Sequence, residues 1–141
     1  MESRQLHIFT VMQIVAVSAL LWIIFTRPGT WDWQRDVGTV LIIAGICGIT
    51  IARYQLGKSF AIKPEAHQLV MHGVYSKIRN PIYVFGAIMI AGIVLILHRP
   101  MLWLLVVAVI ILQTFRARRE AQVLEAAFGD AYREYRRKTW F

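Results

Sequence analysis

The chain has 141 residues, a formal net charge of +8, 57% hydrophobic residues and a mean hydropathy of +0.53. A domain this small has too little interior to hide so much apolar surface, so the composition excludes an ordinary soluble globule. The basic balance would suit nucleic acid or a membrane surface, and the placement of the charges along the chain decides for the membrane.

The first apolar run, Ile8–Phe25, is broken only by Thr10, Gln13 and Ser18, and the first span is predicted at 8–26. It is long enough to cross a hydrocarbon core, which takes about 20 residues at ~1.5 Å each. It leads into Arg27-Pro28 and not a small-x-small cleavage site, so it is expected to be retained and not removed as a signal peptide. Trp31 and Trp33 follow as interfacial anchors. The second span is predicted at 37–54. Its Ala44, Gly48 and Ala52 recur every four residues, a small-residue face on which helix backbones pack closely. Cys47, the single cysteine, lies within it and excludes an intramolecular disulfide or a cysteine-based zinc site. A polar loop precedes the third span, 81–97. Only His98-Arg99-Pro100 separates that span from the fourth, 100–116, so the two form a tight hairpin, with Pro100 suited to a first helical turn. From Arg116 the helix runs on without a breaker to Gly129, with Ala117, Ala121, Leu124 and Phe128 as one apolar stripe. Gly129 ends it, and Asp130 is expected to cap a short last helix bearing Tyr132 and Tyr135.

Four crossings place thirteen of the 16 Lys and Arg on one side, all but Arg27, Arg35 and Arg99. The positive-inside rule then puts both termini, the middle loop and the C-terminal helix in the cytoplasm. The expectation is an all-α integral membrane bundle of four transmembrane helices, one domain over residues 1–141, multi-pass in the inner or cytoplasmic membrane. Membrane lipid is the expected partner and nucleic acid is not.

Chemistry-bearing residues gather in two cytoplasmic segments, 67–86 and 116–135, which the hairpin brings together. Proline disfavours helix at the residue before it, so Asn80 is predicted as the N-cap and Pro81 as the first residue of the third span. Such a helix start presents free amides to a carboxylate or phosphate, and Arg79 adds a bidentate donor. Gly86 opens room about one turn further in. Glu120, set among Arg116, Arg118 and Arg119, is suited either to an ion pair or to a ligand's amine, hydroxyls or positive sulfur. His67 and His72 have the chemistry of a base or ligand, but loop histidines more often have neither role, and no carboxylate lies at a spacing that suggests a metal site.

These residues resemble the isoprenylcysteine carboxyl methyltransferase family and its phospholipid methyltransferase-like relatives. The resemblance spans about residues 53 to 135. It rests on Leu56-Gly57, His67-Gln68-Leu69-Val70, Gly73-Val74-Tyr75, Arg79-Asn80-Pro81-Ile82-Tyr83 and Gly86, then Glu120, Leu124, Phe128-Gly129, Tyr132 and Tyr135. It implies an S-adenosylmethionine site in segments 56–86 and 116–135, with His67, Leu69, Gly73, Tyr75, Arg79, Asn80, Pro81, Tyr83 and Glu120 as cofactor-site residues. It also implies a lipid-like or prenylated acceptor arriving from the bilayer. Ala121 stands where the family has a second glutamate, and the chain closes on Lys138-Thr139-Trp140-Phe141 in place of a proline-containing ending. By position alone, Arg116 at the membrane boundary is the candidate for holding an acceptor carboxylate, and Glu120 or His67 would take a proton from an amine or thiol acceptor. Two other readings compete. One is a nicotinamide-binding membrane sterol reductase, for which the chain is short. The other is a non-catalytic four-helix membrane protein, against which the absence of ionisable residues inside the runs counts.

Overall fold

The structure is a computed structural model that describes residues 2–26, 28–29, 31–57 and 69–141, with side chains of the first helix described only at 11, 14, 15 and 17–26. Its helices are α1 (Glu2–Thr26), α2 (Trp33–Leu56), α3 (Pro81–Leu97), α4 (Trp103–Phe128) and α5 (Asp130–Lys138). Short 3-10 turns at Gly73–Ser76 and Pro100–Leu102 lead towards α3 and into α4. Among the described residues there is no strand, only a single parallel bridge between Ile78 and Trp140. Two helices are long and apolar enough to cross a membrane, α2 and the stretch Pro100–Phe128 containing α4. α3 is equally apolar but shorter.

α2 begins four residues before the predicted span because Asp32 caps it. The Asp32 carboxylate accepts from the Arg35 amide at 3.0 Å, which satisfies a first-turn donor. The small-residue face keeps Gly48 and Ala52 of the predicted three, with Gly45 in place of Ala44. Gly38, Gly45, Gly48 and Ala52 are buried, whereas Ala44 is exposed. Gly38, Gly45 and Ala52 recur every seven residues and so stay in line along a close-packed seam, which a strict four-residue spacing does not. The seam meets α3. A Cβ on Gly45 would lie 2.7 Å from the Met89 Cβ and 2.8 Å from the Phe85 carbonyl, and one on Gly92 would lie 2.6 Å from the Gly38 carbonyl. α2 and α3 therefore touch nearly backbone to backbone. Ile24, Ile42 and Ile96 form the core where the end of α1 joins this pair, with Ile46, Met89 and Ile93 around it.

The same end is held by polar contacts. Arg35, 5% exposed, donates to the Ile24 carbonyl and stacks on Trp31 at 4.3 Å. Its donation meets a carbonyl that the end of α1 leaves without a helical partner. His98, the αL residue that ends α3, lies 2.7 Å from Asp32 through Nε2. That hydrogen bond, with the one from the Arg35 amide, holds the Asp32 carboxyl below the usual carboxylate range. α4 packs far less extensively on α3 than α2 does, and its outer face is apolar and exposed at Leu104, Leu105, Val107, Ile111, Leu112 and Phe115.

Candidate active site

At the opposite end of α3, the chain turns into the helix through Asn80 and Pro81 at the predicted positions. Asn80 makes no side-chain cap. Its carbonyl instead accepts from the Tyr83 and Val84 amides at 3.1 and 3.2 Å. The amides of Arg79 and Asn80 donate to the carbonyls of Trp140 and Phe141, both at 3.0 Å, so the N-cap amide is already engaged. Trp140 in turn donates to the Lys77 carbonyl at 2.7 Å. The C-terminal segment thus lies along residues 77–80 as a short parallel strap. The Arg79 guanidinium donates to the Arg136 carbonyl at 3.1 Å and ties α5 to the same place.

α4 supplies the facing wall. Its Gln113, Arg116 and Glu120 are spaced three and four residues apart and share one side of the helix. The Tyr83 hydroxyl donates to the Glu120 carboxylate, and the Arg116 guanidinium sits 5.7 Å above the Tyr83 ring. One turn further in, a Cβ on Gly86 would meet only Gln113 Nε2, at 3.5 Å. This glycine is not demanded by helix packing, unlike those of the α2–α3 seam.

α5 closes the wall from the side. Gly129, with φ +53°, breaks the helix as predicted, and its amide reaches the Glu125 carbonyl at 2.9 Å. Asp130 does not cap α5, because Gly129 occupies that position. Asp130 instead pairs with Arg133 at 3.0 Å. The turn swings Tyr132 and Tyr135, 3% and 7% exposed, under the 3-10 turn of the middle loop, where Tyr135 donates to the Tyr75 carbonyl at 2.7 Å. Burial raises all three phenols, and that of Tyr135 is pushed up to about 12 by burial and then by Tyr132. All three are therefore neutral hydroxyls at physiological pH.

Of the predicted site residues, the fold brings Tyr75, Arg79, Asn80, Pro81, Tyr83, Arg116 and Glu120 to one end of the α3–α4 hairpin. Leu69 is half-buried at the edge of the loop. Gly73, with φ +60°, sits against Gln55 at the end of α2, where a Cβ would overlap the Gln55 amide group. His67 lies outside the described residues, and His72 is exposed. Two residues were missed. Gln55 accepts from the Val74 amide at 2.7 Å and so docks the Tyr75 turn onto α2. Gln113 faces Gly86, and its signal was its polarity in an otherwise apolar run, three and seven residues before Arg116 and Glu120.

The resulting cleft pairs a carboxylate with a guanidinium, beside aromatic and hydroxyl groups, at the mouth of an apolar hairpin. The family model for phospholipid methyltransferase matches residues 33–131, from the first turn of α2 into α5. The chain belongs to the phospholipid methyltransferase family. It is also 28% identical over 131 residues to the rat protein-S-isoprenylcysteine O-methyltransferase, covering 83% of this chain and 46% of that protein. The chain thus spans about half the length of the curated relative it matches. No solved structure matches it. The matched region contains the residues that α2, the middle loop, α3 and α4 bring to the cleft, and stops before Tyr132, Tyr135 and the strap of residues 139–141.

Proposed function

We propose that the protein is an integral membrane methyltransferase that moves a methyl group from S-adenosylmethionine to a lipid-like or prenylated acceptor at the α3–α4 cleft. The carrying observation is that the family match covers the segments whose Tyr83, Arg116 and Glu120 converge there. In this reading residues 1–141 form one domain with four spans and cytoplasmic termini, and the cleft opens at the cytoplasmic boundary, where Lys and Arg are concentrated.

The residues fit such a donor. Glu120 offers an anion to its amine, ribose hydroxyls or sulfonium. Tyr75 and Tyr83 offer aromatic surface, and Arg79 and Arg116 offer cations to a carboxylate. Methyl transfer from a sulfonium is an in-line displacement and depends above all on positioning. A carboxylate acceptor is already ionised at neutral pH, so the cleft would need no general base for it. Arg116 would hold that carboxylate in line, and unchanged acceptor kinetics in Arg116→Ala would remove it from this role.

The test is isothermal titration of S-adenosylhomocysteine into the detergent-purified protein, beside Glu120→Gln and Arg79→Ala. Saturable binding that weakens at least about tenfold in both variants, a loss of ~1.4 kcal/mol each, supports the reading. Absence of binding by folded wild-type protein rejects it. With binding established, prenylcysteine and phospholipid acceptors are compared for methyl incorporation.

A further inference from the structure

Trp140 is an unusual aromatic residue in this molecule. Its backbone is fixed on both sides, donating to Lys77 and accepting from Arg79, yet the residue is 66% exposed, with its ring centroid 5.8 Å from that of Phe141. Around it lie Lys77, Arg137 and Lys138, all exposed. Lys138 pairs with Glu134 at 2.6 Å, whereas Lys77 and Arg137 make no ion pair among the described residues. A large exposed apolar ring on a fixed backbone, flanked by three cations that share the single carboxylate of Glu134, is a surface suited to an anionic, partly apolar cover.

Its depth says what the cover is. α3 has 17 residues, or about 25 Å at ~1.5 Å per residue, which is less than a ~30 Å hydrocarbon core. Its first residue, Pro81, therefore cannot stand clear of the bilayer. Lys77–Asn80 precede it directly, and the strap lies alongside them. Trp140 is thus at headgroup level, where the indole ring is at home between water and hydrocarbon and where Lys and Arg meet phosphates.

We propose that Trp140, with Lys77, Arg137 and Lys138, is an anchor that docks the C-terminal strap onto the anionic phospholipid headgroups of the leaflet facing the cleft. The occupant is lipid and not an acidic protein, because the patch sits at the bilayer edge and combines an exposed aromatic with cations. The carbonyls of Trp140 and Phe141 hold the amides of Arg79 and Asn80, so the anchored strap also sets the start of α3. The inference rests on the membrane-spanning arrangement proposed above and not on methyl transfer.

The experiment places the full chain in nanodiscs of phosphatidylcholine mixed with phosphatidylglycerol, with either lipid brominated in turn. The fluorescence of Trp140 is taken as the difference between wild type and Trp140→Phe. Stronger quenching by brominated phosphatidylglycerol than by brominated phosphatidylcholine is expected. Arg137→Gln should lower that preference by about fivefold, and the Lys77→Gln/Arg137→Gln pair should lower it further. Equal quenching by the two lipids, or no Trp140 quenching in either, overturns the proposal. So does a preference that neither variant alters. Incorporation into purely neutral nanodiscs tests membrane insertion by itself. If the paired variant fails to fold, the single variant still decides.

Discussion

At the level of single residues, the Tyr83–Glu120 hydrogen bond links the two halves of the cleft. Hydrogen bonds to charged groups contribute about 1.5–3 kcal/mol, and this one joins residues 37 apart in the chain. Tyr83→Phe should therefore weaken S-adenosylhomocysteine binding by roughly tenfold or more while the far end of the bundle is unaffected. Calorimetry and a thermal melt of the same preparation check both halves. Tyr135 makes a second residue-level prediction. Its phenol is raised from an ordinary ~10 to about 12, so the folded state favours the neutral, donating form. The stability this confers is complete below pH 10 and is lost as pH rises through 12, because a tyrosinate cannot donate to the Tyr75 carbonyl. Tyr75 and Tyr132, shifted the same way, add to the loss. Tyr135→Phe should melt at lower temperature at neutral pH and show a shallower alkaline decline, measured by near-UV circular dichroism.

Between elements, the glycines of α2 and α3 separate two kinds of helix contact. Gly45→Ala would force a Cβ against the Phe85 carbonyl and the Met89 amide, neither of which can rotate away. Overpacking of this kind costs about 1–3 kcal/mol. Gly86→Ala meets Gln113 at ordinary contact distance and gains helix propensity, so it should be neutral or stabilising by up to ~1 kcal/mol. Thermal unfolding of the two variants in one detergent should rank Gly45→Ala below wild type and Gly86→Ala at or above it. Much at this scale was readable in advance. Pro81 and Gly129 mark boundaries through backbone geometry that no neighbour overrides, and the apolar runs are helices. What escaped was the rotation of helix faces. Ala44 and Gly45 are equally small, and only the partner's position says which one faces inward. The strap escaped for a related reason. Trp140 and Phe141 bond through carbonyls, which every residue has, so no side-chain pattern announces them. Gln55 acts on a loop 19 residues away and looks like any polar residue at a helix end.

For the molecule as a whole, the charge distribution predicts a topology that labelling can read. Cys47 is exposed to the surroundings of α2, which for a spanning helix means lipid. A membrane-impermeant maleimide should leave it unmodified in sealed vesicles and react after detergent is added. With Cys47 replaced by Ser, a cysteine put in place of Arg99 should label from one side, and one in place of Arg137 from the other. Labelling of both from the same side would refute the four-span arrangement. The family resemblance was legible because its residues are spread in a fixed order over the segments before and after the hairpin, and the match over residues 33–131 agrees with it. The contribution of His67 lies outside the described residues.

The two ends of the hairpin differ in a way that bears on how a bulky acceptor gets in. At the far end α3 and α4 are joined by His98, Arg99 and a 3-10 turn, and α3 is pinned to α2 through His98 and Asp32. Towards the cleft, α4 meets α3 at the Tyr83–Glu120 hydrogen bond and where Gln113 faces Gly86. The arrangement is that of tweezers, fixed at the spring and clasped at the tips by the Tyr83–Glu120 hydrogen bond and by the α5 contacts to Tyr75 and Arg79. Glu120 lies some 20 residues from the joint, or ~30 Å of helix, so a tilt of about 5° moves it ~3 Å. An acceptor entering between α3 and α4 would therefore have to break the Tyr83–Glu120 hydrogen bond, while the backbone-tight α2–α3 pair could stay shut.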